Sequence, residues 1–245
     1  MKLIVSDRHD PAYHLALEEY LFYHEKDEFT LLYINSPSVI IGCNQVWENE
    51  VDADFCKLNN IPVLRRMSGG GAVYHDFGNL NYCFITNQSG ERTSLSSEFL
   101  KPVVIALTGF GFQSVVGKRK DLWLPDGYKI SGTASHIAAK REMHHGTLLY
   151  DTNLDHLANA LNPVKKEQKT KGIASVPSPV KNILAYIKEY DLPEYSTTDF
   201  YKGIIREFKL ILDLKESYLF DSQSEEQINL LADNKYRTDL WNKKK

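Results

Sequence analysis

Long apolar runs are missing from this chain: none of its 245 residues falls in a stretch of the ~18 consecutive apolar residues that a membrane-crossing helix needs. At the N-terminus only Leu3-Ile4-Val5 follow Lys2 before Ser6-Asp7-Arg8, too short a run for a secretory signal. Cysteine is scarce. Cys43, Cys56 and Cys83 form no CxxC pair, and an odd count without a secretory signal predicts reduced thiols in a cytoplasm. Excess positive charge is also lacking: 29 Lys and Arg against 32 Asp and Glu leave a net charge of -3. That excludes the basic balance of sequence-independent nucleic-acid binding, so neither nucleic acid nor membrane is expected as a partner. No P-loop occurs, since Gly117-Lys118 is followed by Arg119 where a magnesium-binding hydroxyl belongs. "GFGFQS" (109–114) lacks the third glycine of a dinucleotide fingerprint. There is no HExxH, and the eight histidines show no metal spacing, so no metal ligands are assigned.

What remains is an ordinary globular composition, 42% apolar and 25% charged, long enough to bury a substantial core. "HDPAYHLALEEYLFYHE" predicts a first helix, capped by Asp10, with Pro11 at its first position and Tyr13, Leu17, Tyr20 and Leu21 on one face. Strands are expected at about 30–34 and 38–42, in "IPVLRR", in "NLNYCFIT" and in "HHGTLLYD". Pro125-Asp126-Gly127 predicts a hairpin within "DLWLPDGYKISGTAS". Helices are expected at 96–108, with Pro102 in the first turn or at a kink, in "NLDHLANALNP", and at about 180–189, 197–211 and 223–240. The lysine-rich stretch 164–179 reads as a mobile loop. This order predicts an α+β fold with a largely antiparallel sheet, in one domain over 1–245.

The stretch "RRMSGGGAVYHDFGN" (65–79) stands out because consecutive glycines are costly to order. A hairpin turn with a bulge accounts for Gly69-Gly70-Gly71 on their own. Their surroundings point further. Arg65 and Arg66 stand where two guanidiniums could converge on an anion, Ser68 and successive backbone N–H groups could form an anion-binding nest, and His75 and Asp76 close the other side. A phosphate or carboxylate site is expected here. In "YKISGTAS" (128–135), Lys129 is either a solvated lysine after a turn or a point charge in that anionic site. In "HHGTLLYD" (144–151), His145 is either a capping imidazole or part of the same cavity wall.

These blocks, in this order, resemble the lipoate–protein ligase A family. "DPAYHLALEEYL", "SVIIGCNQ" and "KGIASVPSPVKNI" extend the resemblance over about residues 1–242. It implies the catalytic-domain fold of biotin protein ligases and class II aminoacyl-tRNA synthetases, a curved, mostly antiparallel sheet flanked by helices. It also implies an ATP- and Mg2+-dependent activation of lipoate to lipoyl-AMP. The lipoyl group then passes to one lysine of a carrier domain, in the E2 component of 2-oxoacid dehydrogenases or the glycine cleavage H protein. Carried over by motif, Ser68, Gly69, Gly70, Gly71, Ala72, Val73, Tyr74 and His75 would cradle the adenylate and the lipoate carboxyl end. Arg66 would contact the phosphates. Lys129, the catalytic residue, would bridge the lipoate carboxylate and the α-phosphate. Asp121 would contact the nucleotide, and His145 with Gly146 would line the lipoyl pocket. Val73 and Tyr74 are expected to supply its apolar slot. The chemistry suits these residue types, because two anions must meet and a lysine with aligned N–H groups can stabilise the charge that develops.

Two other readings remain open. An octanoyl or lipoyl acyltransferase would need a cysteine nucleophile, and no cysteine follows Cys83, 46 residues before Lys129. A non-catalytic lipoate-binding protein would not need the full set of Arg66, Lys129 and three glycines. The family often carries a C-terminal accessory domain after a segment like "NKYRTDLWN", and this chain is expected to be the catalytic domain alone, with a separate small protein as a possible partner. His14 stands where the family often has Asn.

Overall fold

The structure, a computed structural model, describes residues 1–88, 97–163, 174–214 and 218–244. The strands are β1 (Lys2–Val5), β2 (Phe29–Tyr33), β3 (Ser38–Ile41), β4 (Val63–Arg65), β5 (Val73–His75), β6 (Asn79–Asn87), β7 (Val115–Val116), β8 (Leu122–Trp123), β9 (Lys129–Ser131), β10 (Thr133–Ala138) and β11 (Arg141–Leu149). The helices are α1 (Pro11–Tyr23), α2 (Ala53–Leu58), α3 (Lys101–Thr108), α4 (Leu154–Ala160), α5 (Ile183–Glu189), α6 (Thr197–Ile211), α7 (Ser222–Leu231) and α8 (Asp239–Asn242). No helix among the described residues is long and apolar enough to cross a membrane.

The main sheet runs β1-β2-β6-β11-β10, antiparallel except for the β1–β2 pair. Its strands alternate between two buried faces. Leu32, Leu80, Tyr82, Phe84 and Leu148 face a core built with α3, α5 and α6. Leu31, Cys83, Ile85 and Met143 face α1 and the C-terminal helices. The alternation therefore reads as apolar on both sides, as a sheet between two helical layers requires. Helix α1 lies inside the second layer. The Asp10 carboxylate accepts from the Ala12 N–H, and Pro11 occupies the first turn, as expected.

A second sheet, β4-β3-β5, leans on the first and has its own core of Val39, Ile41, Tyr74, Cys56 and Ala160. A third, β7-β8-β9, contains the expected hairpin, with Gly127 at φ +89° in its turn. The mixed α/β architecture with antiparallel-rich sheets matches the expected fold class.

Three expectations need correction. The single helix at 223–240 is broken: α7 gives way to a π-helical turn at Ala232–Tyr236, where the Arg237 N–H bonds back to Ala232, and the Thr238 hydroxyl then caps α8. The glycine stretch is not a hairpin turn, because β4 and β5 lie on opposite sides of β3 and the glycines cross over its end. The first turn of the 96–108 helix is a 3-10 turn (Ser97–Leu100), with Pro102 opening α3 behind it. Residues 164–173 of the expected loop lie outside the described residues.

Candidate active site

A cavity of about 340 Å³ opens where the main sheet, the second sheet and β9 meet. Arg66, Gly70, Gly71, Ala72, Val73 and His75 form one wall. Lys129, with Asp121, Arg119 and Gly132, forms the other. His145, Gly146, Asn81 and Tyr33 from the main sheet line it as well. The volume lies in the usual range for a small-molecule pocket.

The glycine crossover is shaped by a residue the sequence reading passed over, Gly42 at the end of β3. A Cβ there would lie 2.1 Å from the Gly70 carbonyl oxygen, so only glycine lets the loop pass. Gly70 itself has φ +87°, a conformation that disfavours any side chain. The N–H groups of Gly69, Gly70 and Gly71 carry no hydrogen bond to another described residue, and Gly70 and Gly71 stand on the cavity wall, where such donors suit an anion.

The two arginines divide their work, and the expectation that both guanidiniums converge on an anion fails. Arg65 is fully buried and turned away from the cavity. Its guanidinium donates to the carbonyls of Gly42, Cys43, Gln45, Trp241, Asn242 and Lys244, and so ties the C-terminal residues to β4. Arg66 does line the cavity, yet it is also the loop's internal brace. Nε donates to Ser68 Oγ at 3.0 Å, and the terminal nitrogens donate to the carbonyls of Ile40, Gly69 and Gly71. Burial pulls its pKa down to about 10.

Ser68 does not line the cavity. Its hydroxyl accepts from the Arg66 Nε–H and lies 2.7 Å from His145 Nε2. His145 Nδ1 in turn donates to the fully buried Glu18 carboxylate at 2.9 Å, which also accepts from the Tyr33 hydroxyl. Burial pushes the Glu18 pKa up, but His145 and Tyr33 outweigh it and hold the carboxyl below its ordinary value. Tyr74 and Asp76 correct the sequence reading further. With β-strand alternation Val73 and His75 face the cavity, and Tyr74 points into the core of the second sheet. Asp76 accepts from the N–H groups of Gly78 and Asn153 instead of facing a ligand. Gly69 lies off the cavity wall, its carbonyl engaged by Arg66.

Lys129 is not a solvated lysine. Its side chain is 19% exposed, with Nζ 3.4 Å from Asp121 Oδ2. Burial lowers its pKa and the Asp121 charge only partly offsets this. For Asp121, burial raises the pKa, but the Trp123 indole N–H and the Lys129 charge leave it below the usual carboxylate value. The backbone of Lys129 is pinned by Pro179 and Lys181, on the far end of a segment whose Ala174, Ser175 and Val176 line the cavity. Ser175 Oγ accepts from the Ala72 N–H and donates to the buried Glu50 carboxylate. Ser175 and Glu50 were missed, and nothing in their local sequence marks them. Glu18 could have been found as one half of an i,i+4 pair with His14 on α1.

An oxygen-rich anion is thus offered unbonded N–H donors on one side and an ammonium on the other, above a slot closed by buried side chains. The family model described as the lipoyl protein ligase A/B catalytic domain matches residues 10–209. The chain belongs to that family. It is 36% identical over 237 residues to the lipoate-protein ligase LplJ of Bacillus subtilis, covering 95% of this chain and 70% of that one. Among solved structures, a bi-partite lipoate protein ligase studied with its E2 lipoyl domain, from Thermoplasma acidophilum, superposes with a TM-score of 0.81 at 27% identity, covering 99% of this chain and 95% of that one. A T. acidophilum protein with bound lipoic acid gives 0.78 at 26%, covering 99% of each chain. A lipoate-protein ligase A bound with ATP gives 0.81 at 27%, covering 99% and 98%.

Proposed function

We propose that the chain is an ATP-dependent lipoate–protein ligase acting as one catalytic unit. The observation that carries this reading is Lys129, a largely buried ammonium in the same cavity as the glycine crossover. In the first step a lipoate carboxylate oxygen attacks the α-phosphorus of ATP, and the bond to pyrophosphate breaks. Lys129 and the N–H groups of Gly70 and Gly71, which bond to no other described residue, offset the negative charge gathering there. In the second step the amine of a carrier lysine attacks the acyl carbon, loses a proton, and AMP leaves. Lys129 stays with the carbonyl oxygen. No protein nucleophile takes part. Cys83 lies beside His145, and it is fully buried with its thiol pKa pushed well up by burial. That disfavours the thioester route of an acyltransferase.

Magnesium would arrive on the ATP phosphates. The metal-capable cluster among the described residues, Glu18, Cys83 and His145, offers a thiol and an imidazole in a dry site, a donor set for softer ions. Asp121 fits an ion that keeps its waters and takes one protein carboxylate, and the ion would supply charge neutralisation at the phosphates. Carrier domains of E2 components or of the glycine cleavage H protein are the acceptors, supported by the T. acidophilum ligase studied with its E2 lipoyl domain. A separate accessory protein is a further partner, because that relative is bi-partite. Three free cysteines suit a reducing cytoplasm.

The test is to incubate the chain with ATP, Mg2+, lipoate and an apo carrier domain, with and without cell extract, and weigh the carrier. A lipoyl adduct that requires ATP is expected. No adduct in either arm, or an adduct formed without ATP from an acylated carrier, would overturn the reading.

A further inference from the structure

Strand β4 is an outer strand of the second sheet. Toward β3, the Arg66 N–H reaches the Ile41 carbonyl. Strand alternation turns the Arg65 N–H and carbonyl the other way, where a further strand would take them. Two side chains take them instead. Asn242 Oδ1 accepts from the Arg65 N–H at 2.9 Å, and the Trp241 indole N–H donates to the Arg65 carbonyl at 2.7 Å.

The guanidinium of the same residue joins this segment to the cavity wall. Nε and Nη2 donate to the carbonyls of Trp241, Asn242 and Lys244 at 2.9–3.2 Å. Nη1 is given to the turn that follows β3, 3.1 Å from the Gly42 carbonyl, 3.2 Å from that of Cys43 and 2.7 Å from that of Gln45. That turn is the platform of the glycine crossover. The Gly70 carbonyl passes directly over Gly42, and the Cys43 N–H donates to the Ser68 carbonyl at 2.9 Å. Gln45 Nε2 donates to Ser175 Oγ, the same hydroxyl that holds the Ala72 N–H. If residues 241–244 left, the hydrogens on Nε and Nη2 would lose their acceptors in a buried site, an outcome costly for a charged group. The guanidinium would have to rotate or draw water in, and either movement releases the turn.

We propose that Trp241–Lys244 act as positioning residues for the cavity: they orient the Arg65 guanidinium, which fixes the Gly42–Gln45 turn and, through it, the Gly70 and Gly71 donors. A change in this segment is then read at the anion site, and by reciprocity an anion held there tightens the segment. The choice of an acyl-adenylate as the probe rests on the ligase reading above, whereas the link between segment and crossover does not.

Three variants of the full chain test it. Trp241→Phe keeps an aromatic ring and deletes the N–H that holds the Arg65 carbonyl. Asn242→Ala deletes the acceptor for the Arg65 N–H, and Asn242→Asp puts an acceptor back. Circular dichroism and the urea midpoint establish folding. Without ligand, the Cys43 and Ala72 amides, which are bonded to the crossover and across it, should exchange about 3- to 30-fold faster in Trp241→Phe and Asn242→Ala, the span that substitutions along a coupled network reach. Asn242→Asp should stay near the wild-type rate. A non-hydrolysable acyl-adenylate should bind the first two variants about 3- to 30-fold more weakly by calorimetry. Bound to the wild type, it should also slow exchange at the Asn242 and Lys243 amides but not at Leu212, which closes α6. A segment with a merely structural role would not respond to ligand in this way. Unchanged exchange at Cys43 and Ala72 in folded Trp241→Phe and Asn242→Ala, or the same adenylate affinity in all four proteins, would overturn the proposal. Should a variant fail to fold, the ligand response of Asn242 and Lys243 in the wild type decides, and its absence overturns the proposal. If Cys43 and Ala72 respond as expected but the wild type binds no adenylate, the positioning role stands and the ligase reading falls.

Discussion

Lys129→Met keeps most of the side-chain stem and removes only the charge, so it isolates what the ammonium does. The ammonium lies 3.4 Å from Asp121 Oδ2, with the two side chains 19% and 4% exposed. At an effective dielectric of about 20 that pair attracts by roughly 5 kcal/mol, most of it cancelled by the desolvation of both groups. Asp121 keeps the Trp123 N–H, so the variant should lose about 1–3 kcal/mol of stability and remain folded at 25 °C. The catalytic loss should be larger. Removing one preorganised donor from a site of developing charge costs about 3–4 kcal/mol, or roughly 10²–10³ in rate. The assay is lipoate-dependent pyrophosphate release per folded molecule, with circular dichroism to establish folding. A variant that folds and turns over within tenfold of the wild type would refute the assignment of Lys129.

Gly42→Ala should push the glycine crossover off the end of β3, since its Cβ would lie 2.1 Å from a backbone oxygen; calorimetry with a non-hydrolysable acyl-adenylate should show at least about a tenfold loss, consistent with about 1–3 kcal/mol of overpacking strain. Arg65→Lys cannot reproduce the planar fork that reaches carbonyls on both sides of β4, so the urea midpoint should fall by the equivalent of about 2 kcal/mol or more and the C-terminal residues should become protease-sensitive. Acid should destabilise the fold early. Burial lowers the pKa of His14 to about 4 and of His75 and His144 to about 3, from 6.5 when unfolded. Their stabilising contribution is complete above pH 6.5 and is lost as pH falls toward 3–4, at up to about 1.4 kcal/mol per pH unit for each histidine; denaturant midpoints that stay level between pH 7 and pH 5 would contradict this.

The sequence was most legible where one local rule dominated. Asp10-Pro11 opens α1, Pro125-Asp126-Gly127 turns the hairpin, and the glycine crossover with Lys129 and His145 marks the cavity. It was least legible where two distant segments decide a residue's role. Adjacent arginines look alike in a sequence, but Arg65 points toward carbonyls at 241–244 and Arg66 toward its own loop. Tyr74 was counted with its neighbours because the motif is contiguous, whereas strand alternation turns every second side chain away. Gly42 was invisible as a functional residue because its constraint comes from Gly70, 28 positions later. The break between α7 and α8 carries no Pro or Gly to announce it, only the capping threonine at 238.

Cys83 has a consequence for the kind of acid the cavity can hold. A dithiolane is a cyclic disulfide, open to exchange with any thiolate it meets. Cys83 belongs to the same buried cluster as His145, which lines the cavity, and burial together with the Glu18 charge keeps its sulfur protonated. The carboxylate that orients His145 therefore also quenches the Cys83 thiol, and a disulfide ring beside it meets no thiolate from that residue.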